Sequence, residues 1–289
     1  MHREHTQKSI LWQPASLPGV TLLRGEYLQQ RLARHVHEEY ALGVVTRGGL
    51  GFQYRGASHL AGAGEINIVV PGEVHTGHPE IEAFWSYRTF YIAPEVMREV
   101  DVDLGTPARS LPFFAAGVLK DPKLAAGVLD LHRDIDGGAI APIEMQSRLL
   151  VLLSAWIRRH GERARRAKVS MRAAHVGRVR EYLEDCWRER PALTQLAAMV
   201  ELSSFQLLRA FEREYGVPPH AYLIQRQVRE AKRMLERGVA IAEVAHTCGF
   251  ADQSHLNRHF KRIWGVTPGR VRTTPPMFLS AGQGQTSKS

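Results

Sequence analysis

An internal repeat in the last third of the chain limits its possible folds more than any other feature of the sequence. The residues that recur 49 positions apart are two apolar side chains, a glycine and a proline: Leu207 and Leu256, Phe211 and Phe260, Gly216 and Gly265, and Pro219 and Pro268. A leucine and a phenylalanine spaced i, i+4 lie on one face of a helix, and the glycine that follows favours the end of that helix. This part of the chain is therefore predicted to contain two copies of one helical unit.

Each copy predicts a helix, a tight turn and a second helix. In the second copy, residues 241–248 would form the first helix, Gly249 would allow the left-handed turn, and Asp252 is a suitable N-cap for the next helix. Ser203 is the equivalent N-cap in the first copy. This is a helix-turn-helix unit, whose second helix is shaped to enter a major groove of DNA. Residues 219–237 would form a helix that joins the two units.

Residues 241–272 resemble the DNA-binding signature of the AraC/XylS-type transcription regulators. The resemblance covers about 100 residues, and the residues in signature positions are Ala245, Gly249, Phe250, Phe260, Lys261, Gly265, Thr267 and Pro268. It implies two helix-turn-helix units on either side of a linker helix, with recognition helices in neighbouring major grooves. One departure is Glu201, at a turn position that usually takes glycine, which should cost about 1 kcal/mol. Another is His255-Leu256, where the family usually has an aromatic pair.

The outward faces of the two recognition helices are expected to bind double-stranded DNA. Such a helix presents residues near its N-terminus to base edges, where Gln and Asn can pair with adenine and Arg with guanine. The residues predicted to contact bases are Ser204, Phe205, Leu208 and Arg209 in the first copy, and Gln253, Ser254, His255, Asn257 and Arg258 in the second. Those predicted to contact phosphates are Arg213, Lys261 and Arg262.

The distribution of charge agrees with a DNA-binding rear half. The net charge is +9, but residues 1–157 carry 14 Lys/Arg and 17 Asp/Glu, a local charge of −3. Residues 171–273 carry 17 basic and 11 acidic residues, a local charge of +6. An acidic front half and a basic rear half are expected when only the rear half meets a polyanion.

The front of the chain, up to about residue 90, consists of short stretches rich in β-branched and aromatic residues between glycine turns, which predicts a sandwich or small barrel. Residues 34–39 (RHVHEE), followed by residues 64–75, resemble the two motifs of a cupin barrel. This barrel is also the usual sensor domain of AraC-type regulators, so the resemblance implies a small-molecule effector in its interior. The candidate effector-binding residues are His35, His37, Tyr40, His75 and Trp85.

The three histidines leave a second possibility open. On a strand His35 and His37 point to one face, and together with His75 they could form a three-histidine metal site. The enzyme-type cupin pattern adds a glutamate in the region that here holds Ala41 and Leu42. An effector pocket without a metal or other cofactor is therefore the favoured prediction, and metal binding stays open.

The predicted organisation is multidomain, with α and β structure. Its parts are a cupin-like barrel at 1–120, two amphipathic helices at 121–160, a basic linker at 161–170, an all-α double helix-turn-helix domain at 171–273 and a disordered tail at 274–289. The two amphipathic helices could cap the barrel or pair with another copy to form a homodimer.

These features predict a sequence-specific transcription regulator that is controlled by an effector and is not an enzyme. Activation, and with it contact with RNA polymerase, is implied by the resemblance alone. One alternative is a cupin metalloenzyme fused to a DNA-binding domain, and another is a constitutive regulator whose barrel only dimerises. The chain shows neither a signal peptide nor an apolar run long enough to span a membrane, which predicts a cytoplasmic protein without membrane contact.

Overall fold

A computed structural model describes residues 9–28, 30–80, 84–105, 111–138, 140–162, 171–189 and 191–272. The predicted linker at 161–170 lies outside these residues except for its first two positions, and the predicted tail at 274–289 lies wholly outside them.

The front half forms β-strands in two sheets. The strands are β1 (Ile10–Trp12), β2 (Val20–Leu28), β3 (Leu32–His35), β4 (Tyr40–Arg47), β5 (Gly49–Tyr54), β6 (Ala57–Gly62), β7 (Ile66–Val69), β8 (His75–Pro79), β9 (Phe84–Ile92) and β10 (Val118–Leu119). One sheet has the order β3-β8-β5-β6, and the larger sheet contains β10-β7-β4-β9-β2-β1. Leu23 and Tyr87 of the larger sheet share a hydrophobic cluster with Phe52 and Tyr54 of the smaller one. The sheets therefore pack face to face, as predicted for a sandwich or barrel.

Helices cover the outer face of the larger sheet. They are α1 (Pro94–Asp103), α2 (Pro122–Gly137) and α3 (Pro142–His160). Because successive strand residues point to opposite faces, Tyr40, Leu42 and Val44 of β4 pack beneath these helices. Ala41 and Val45 belong instead to the cluster between the sheets. The apolar stripes predicted for the two amphipathic helices are buried on this sheet, so both helices cap the barrel of their own chain.

The rear half is helical and contains the predicted repeat. Its helices are α4 (Met171–Asp185), α5 (Leu193–Ala198), α6 (Ser204–Tyr215), α7 (Pro219–Glu236), α8 (Ile241–Thr247) and α9 (Gln253–Trp264). The pairs α5–α6 and α8–α9 are the two helix-turn-helix units, and α7 is the helix between them. None of the helices in the described residues is long and apolar enough to cross a membrane.

The two units begin and end their second helices in the same way. The side chains of Ser203 and Asp252 each accept a hydrogen bond from the backbone N–H three residues on, at 3.2 and 2.6 Å. These bonds satisfy amide groups that have no partner inside the helix. Gly216 and Gly265 end the helices with left-handed φ angles of 68° and 72°. The predicted caps and helix ends are thus confirmed.

The turn of the first unit is strained. Glu201 has a left-handed φ of 55°, whereas its counterpart in the second unit is Gly249, with a φ of 78°. We expect Glu201→Gly to raise the free energy of unfolding by about 1 kcal/mol, because glycine lacks the Cβ that disfavours this conformation. Urea unfolding followed by circular dichroism measures the change. Glu201→Ala keeps a Cβ and is expected to give no such gain, so equal stabilisation by both variants would contradict the strain argument.

The helical domain packs directly on the barrel. Strand β11 (Val271–Arg272) follows the second unit and pairs in parallel with β1, with Leu11 opposite Val271. The ends of both recognition helices also reach the barrel. A Cβ atom on Gly216 would lie 2.5 Å from a methyl carbon of Val74, and one on Gly265 would lie 2.8 Å from the Cζ of Tyr27. Each helix therefore rests its C-terminal end on the sensor domain.

Candidate functional site

The two recognition helices, α6 and α9, turn their predicted apolar residues inward. Leu207, Phe211, Leu256 and Phe260 are fully buried. Most of the residues predicted to contact DNA are consequently exposed: Phe205, Arg209, Arg213, Gln253, Ser254, Asn257, Arg258 and Arg262.

Phe205 is the most unusual residue of this surface, because 65% of it is exposed to solvent near the start of α6. The guanidinium carbon of Arg209 lies 5.6 Å from the centre of its ring. A large apolar ring held in solvent beside an arginine suits a contact with base edges, where it can pack on a thymine methyl group.

Four of the predicted contact residues are only partly exposed: Ser204, Leu208, His255 and Lys261. Leu208 and His255 line a cleft of about 640 Å³ between the two units. His255 is drawn into this cleft because its ring packs against Phe250 and its Nε2 lies 3.0 Å from the Nε2 of His259. The prediction that His255 points outward thus needs correction, and the i, i+4 spacing of the two histidines was the signal for it.

The second candidate site is a histidine cluster inside the barrel. His35 at the end of β3 pairs in register with His75 at the start of β8, and His37 follows β3. The ring centres of His35 and His75 are 4.1 Å apart, and those of His37 and His75 are 4.8 Å apart. All three rings are buried. The structure therefore brings together the three histidines that the sequence singles out, and Trp85 lines the same cavity.

Each of the three rings is held through the same nitrogen. The Nδ1 atoms of His35, His37 and His75 lie 2.7, 2.8 and 3.0 Å from backbone carbonyl oxygens. A carbonyl oxygen only accepts hydrogen bonds, so each Nδ1 carries the proton and each Nε2 keeps a free lone pair. Burial lowers the pKa of His35 to about 3 and also lowers the pKa values of His37 and His75. The three imidazoles are therefore neutral at physiological pH.

Further polar residues that were not predicted from the sequence also line the cavity. Asn67 on β7 and Thr89 on β9 both lie in it, and Asn67 Oδ1, Thr89 Oγ1 and His37 Nε2 are buried without a hydrogen-bond partner among the described residues. Buried polar atoms nearly always have partners, so these atoms are available to a bound ligand. A signal was present: Asn67 is the one polar residue of a strand that is otherwise Ile-Ile-Val.

Tyr40 does not belong to this cavity, which corrects its prediction as an effector-binding residue. It lies on the opposite face of β4, where its hydroxyl donates a hydrogen bond of 2.6 Å to the carbonyl of Pro112. Its ring packs against Trp156 of α3. Tyr40 therefore helps to hold the capping helices to the sheet.

Side chains of the helical domain cover one side of the histidine cluster. The ring of Trp264, at the end of α9, lies 5.1 Å from Tyr91 and 6.3 Å from His37. Lys232 of α7 lies 5.0 Å from the same tryptophan ring and 3.6 Å from the carboxylate of Glu39. The cavity and the second helix-turn-helix unit are thus separated by a single layer of side chains.

A cavity-bearing barrel packed against two helix-turn-helix units defines a ligand-responsive DNA-binding regulator. Residues 17–153 match the family model described as an AraC-like ligand binding domain, and residues 196–274 match one described as a helix-turn-helix domain. The chain belongs to the AraC family of transcription regulators.

Relatives and solved structures agree with this assignment. The HTH-type transcriptional regulator YbfI of Bacillus subtilis is 27% identical over 79% of this chain and 82% of its own length. The transcriptional activator RhaS of Salmonella agona is 27% identical over 54% of each chain. Two structures of ToxT from Vibrio cholerae, one with a bound unsaturated fatty acid, share the fold at 9% identity and TM-scores of 0.55. They cover 86% and 89% of this chain and 95% of ToxT.

Proposed function

We propose that this regulator binds a small polar effector in the histidine-lined cavity, and that the effector changes how the two recognition helices meet DNA. One observation carries the proposal: a residue of the cavity wall touches the end of one recognition helix, and a residue next to the wall touches the end of the other. Val74, beside His75, packs against Gly216, and Leu32, which lines the cavity, packs against Gly265. A ligand that shifts these walls would alter both helix-turn-helix units together.

The linker helix α7 provides a second connection. The backbone N–H of Val36 donates a hydrogen bond of 2.9 Å to Gln225. Two residues further on, Glu38 pairs with Arg229, and Glu39 pairs with Lys232. These pairs join the segment around His37 to α7. An effector that favours one position of this segment would therefore favour one arrangement of the DNA-binding domain, which is a shift between existing states.

The effector is proposed to be small and to carry hydrogen-bond donors such as hydroxyl groups, because the unpartnered His37 Nε2 and Asn67 Oδ1 are acceptors. The free volume inside the cavity is only about 30 Å³, enough for one or two water-sized groups without movement of the walls. The cavity is lined by neutral imidazoles, an amide and several hydroxyl-bearing side chains, and is therefore not purely apolar. A ToxT structure holds an unsaturated fatty acid, but such a chain would require a wider cavity than this one.

The residues of α6 and α9 predicted to contact DNA, other than His255, are proposed to do so. Tyr40 is excluded from effector binding. We further propose that the bound state activates transcription through contact with RNA polymerase. The relative RhaS of Salmonella agona is a transcriptional activator. The barrel is proposed to sense its ligand rather than to transform it, since the relatives are transcription regulators.

Selection of bound genomic fragments, followed by gel-shift assays with candidate effectors, tests this function. We expect a common sequence in the selected fragments and an effector that changes the affinity for it. Thr89→Val removes the unpartnered hydroxyl with little change of shape, so it should keep basal DNA binding and lose much of the response to the effector. Selection of no common sequence, or an unchanged response in Thr89→Val and in Asn67→Leu, would contradict the proposal.

The outer face of α3 is proposed to bind a second copy of the chain. Ile143, Leu150 and Val151 are 76%, 50% and 70% exposed and follow the i, i+7, i+8 spacing of one helix face. The double variant Leu150→Lys/Val151→Lys should weaken dimerisation about a hundredfold, the effect of losing about 3 kcal/mol of apolar burial. Sedimentation equilibrium measures this change.

Leu60→Lys serves as the matched control, since Leu60 is a 48% exposed leucine on β6 of the other sheet. It should leave the dimer intact. A parent chain that stays monomeric at high concentration, or a double variant that dimerises as the parent does, would rule out this face.

A further inference from the structure

We propose that the sensor domain itself contacts the DNA backbone, through Arg31 and Arg34 beside the second recognition helix. Both side chains are exposed, Arg31 just before strand β3 and Arg34 within it. Neither forms an ion pair or a hydrogen bond with another described residue. Arg24, Arg55 and Arg88, elsewhere in the barrel, each pair with a carboxylate. Two exposed arginines without an acidic partner are suited to bind phosphate groups.

The segment that carries these arginines is hydrogen-bonded to the end of α9. The Nε2 atom of Gln30 donates to the backbone carbonyls of Lys261 and Gly265, at 3.3 and 3.2 Å. Leu32 packs on the same end of the helix, since its Cδ2 atom would lie 3.1 Å from a Cβ atom on Gly265. Gln30 and Leu32 are the two chain neighbours of Arg31. Arg31 is therefore held next to the C-terminal turn of α9.

This turn already carries the predicted phosphate contacts Lys261 and Arg262. The N-terminal residues of a recognition helix reach base edges, so we expect its C-terminal turn to lie beside the sugar-phosphate backbone. Residues 27–37 contain no aspartate or glutamate. The next acid along the chain, Glu38, is paired with Arg229. The positive charge of the segment thus adds to that of α9 and is available to the phosphates.

The barrel presents a different charge at the end of the first recognition helix. There Val74 packs against Gly216, and the residue before Val74 is Glu73. The carboxylate of Glu73 lies 2.9 Å from Arg55 and neutralises it. We therefore expect the sensor domain to strengthen the hold of the second unit on DNA and to leave that of the first unit unchanged.

Strand β3 connects the two arginines with the cavity of the barrel. Leu32 and His35 of this strand line the cavity, and Arg34 directly precedes His35. An effector that displaces β3 would therefore move Arg31 and Arg34 relative to the phosphates. This last point alone rests on the proposed effector, whereas the contact with DNA requires only that α9 docks as proposed.

Salt titration of DNA binding by the full chain tests the contact. Arg31→Gln/Arg34→Gln removes two charges and keeps two long polar side chains. We expect it to reduce the slope of log affinity against log salt concentration by about two, because each phosphate contact contributes about 0.9. The advantage of the parent over the variant should consequently shrink about tenfold between about 50 and about 200 mM salt. The loss should be equal for the preferred duplex and an unrelated one, since phosphates carry no sequence information.

Two variants and one independent measurement serve as controls. Arg98→Gln removes an exposed arginine from α1 of the same domain and should keep the slope of the parent. Arg31→Lys/Arg34→Lys keeps both charges and should also keep that slope. In ethylation interference, blocking a phosphate next to the bases that α9 contacts should weaken binding of the parent. It should have no such effect on Arg31→Gln/Arg34→Gln.

An unchanged slope in Arg31→Gln/Arg34→Gln overturns the proposal, and so does an equal loss of slope in Arg98→Gln. If a variant does not fold, ethylation of the parent decides, because interference confined to the phosphates contacted by α6 and α9 overturns the proposal as well. Lys261→Ala separates this failure from that of the proposed function. A reduced slope in Lys261→Ala alone would show that α9 binds DNA without the sensor domain, and a parent that binds no DNA would contradict both proposals.

Discussion

Replacing Trp264 with alanine should lower the free energy of unfolding by about 3–5 kcal/mol, the range found for large buried aromatic residues. The side chain is 2% exposed and belongs to a hydrophobic cluster that includes both the barrel and the second helix-turn-helix unit. Its removal leaves a cavity between the two domains and uncovers the histidine cluster. Urea unfolding measures the stability, and the effector response measured by gel shift should weaken as well.

The repeat supplies the control for this variant. The counterpart of Trp264 in the first unit is Tyr215, which is only partly buried and packs against Phe211 of its own helix and Tyr222 of α7. Tyr215→Ala should therefore destabilise the chain less and leave the effector response in place. Equal losses of stability and of effector response in the two variants would show that Trp264 stabilises only its own unit and does not couple the domains.

The second large effect is expected at the DNA surface. Arg258→Ala should weaken binding to the preferred sequence by about 1–3 kcal/mol and relax the choice of base at one position, because an arginine proposed to pair with guanine is lost. Arg258 is exposed on α9, next to the exposed Asn257. Competition gel shifts with each base substituted in turn measure both effects.

Two variants serve as comparisons for Arg258. Lys261→Ala, at a predicted phosphate contact, should weaken binding to all sequences alike. It should also reduce the slope of log affinity against log salt concentration by about one. Arg98→Ala removes the same charge from α1 of the sensor domain and should change neither property. A loss of affinity in Arg258→Ala that is uniform over all sequences would contradict a base contact at this residue.

The helical half could be predicted from the sequence because its signals are local. Ser203 and Asp252 are caps, Gly216 and Gly265 are helix ends, and each acts within a few residues of its own position. Because the unit is repeated, each of these capping and helix-ending positions occurs twice in the sequence. Even the strain at Glu201 is visible as a departure of one copy from the other.

The orientation of Tyr40 could not be predicted in this way. Strand β4 reads Tyr-Ala-Leu-Gly-Val-Val and is buried on both faces, by helices on one side and by the second sheet on the other. A strand buried on both faces shows no alternation of polar and apolar residues. The sequence therefore does not reveal which of its side chains enter the cavity, and Tyr40 and Ala41 can be told apart only from the fold.

The contact between the domains was also beyond sequence reasoning. Trp264 is an apolar residue of a helix end, and its spacing is explained by its own unit. Nothing local indicates that the ring also meets Tyr91 and His37, which lie far away in the chain. Such contacts depend on the way two surfaces fit, and the pattern of one segment does not encode that.

The parallel pairing of β11 with β1 has a consequence for how the chain can be divided. An edge strand that loses its neighbour exposes a row of unpaired backbone groups, which can pair with another molecule. If residues 271–272 were cut away with the helical domain, the isolated front half would present β1 in that condition. The last strand of the DNA-binding part thus covers an edge of the receptor part, and a cut between the two parts uncovers it.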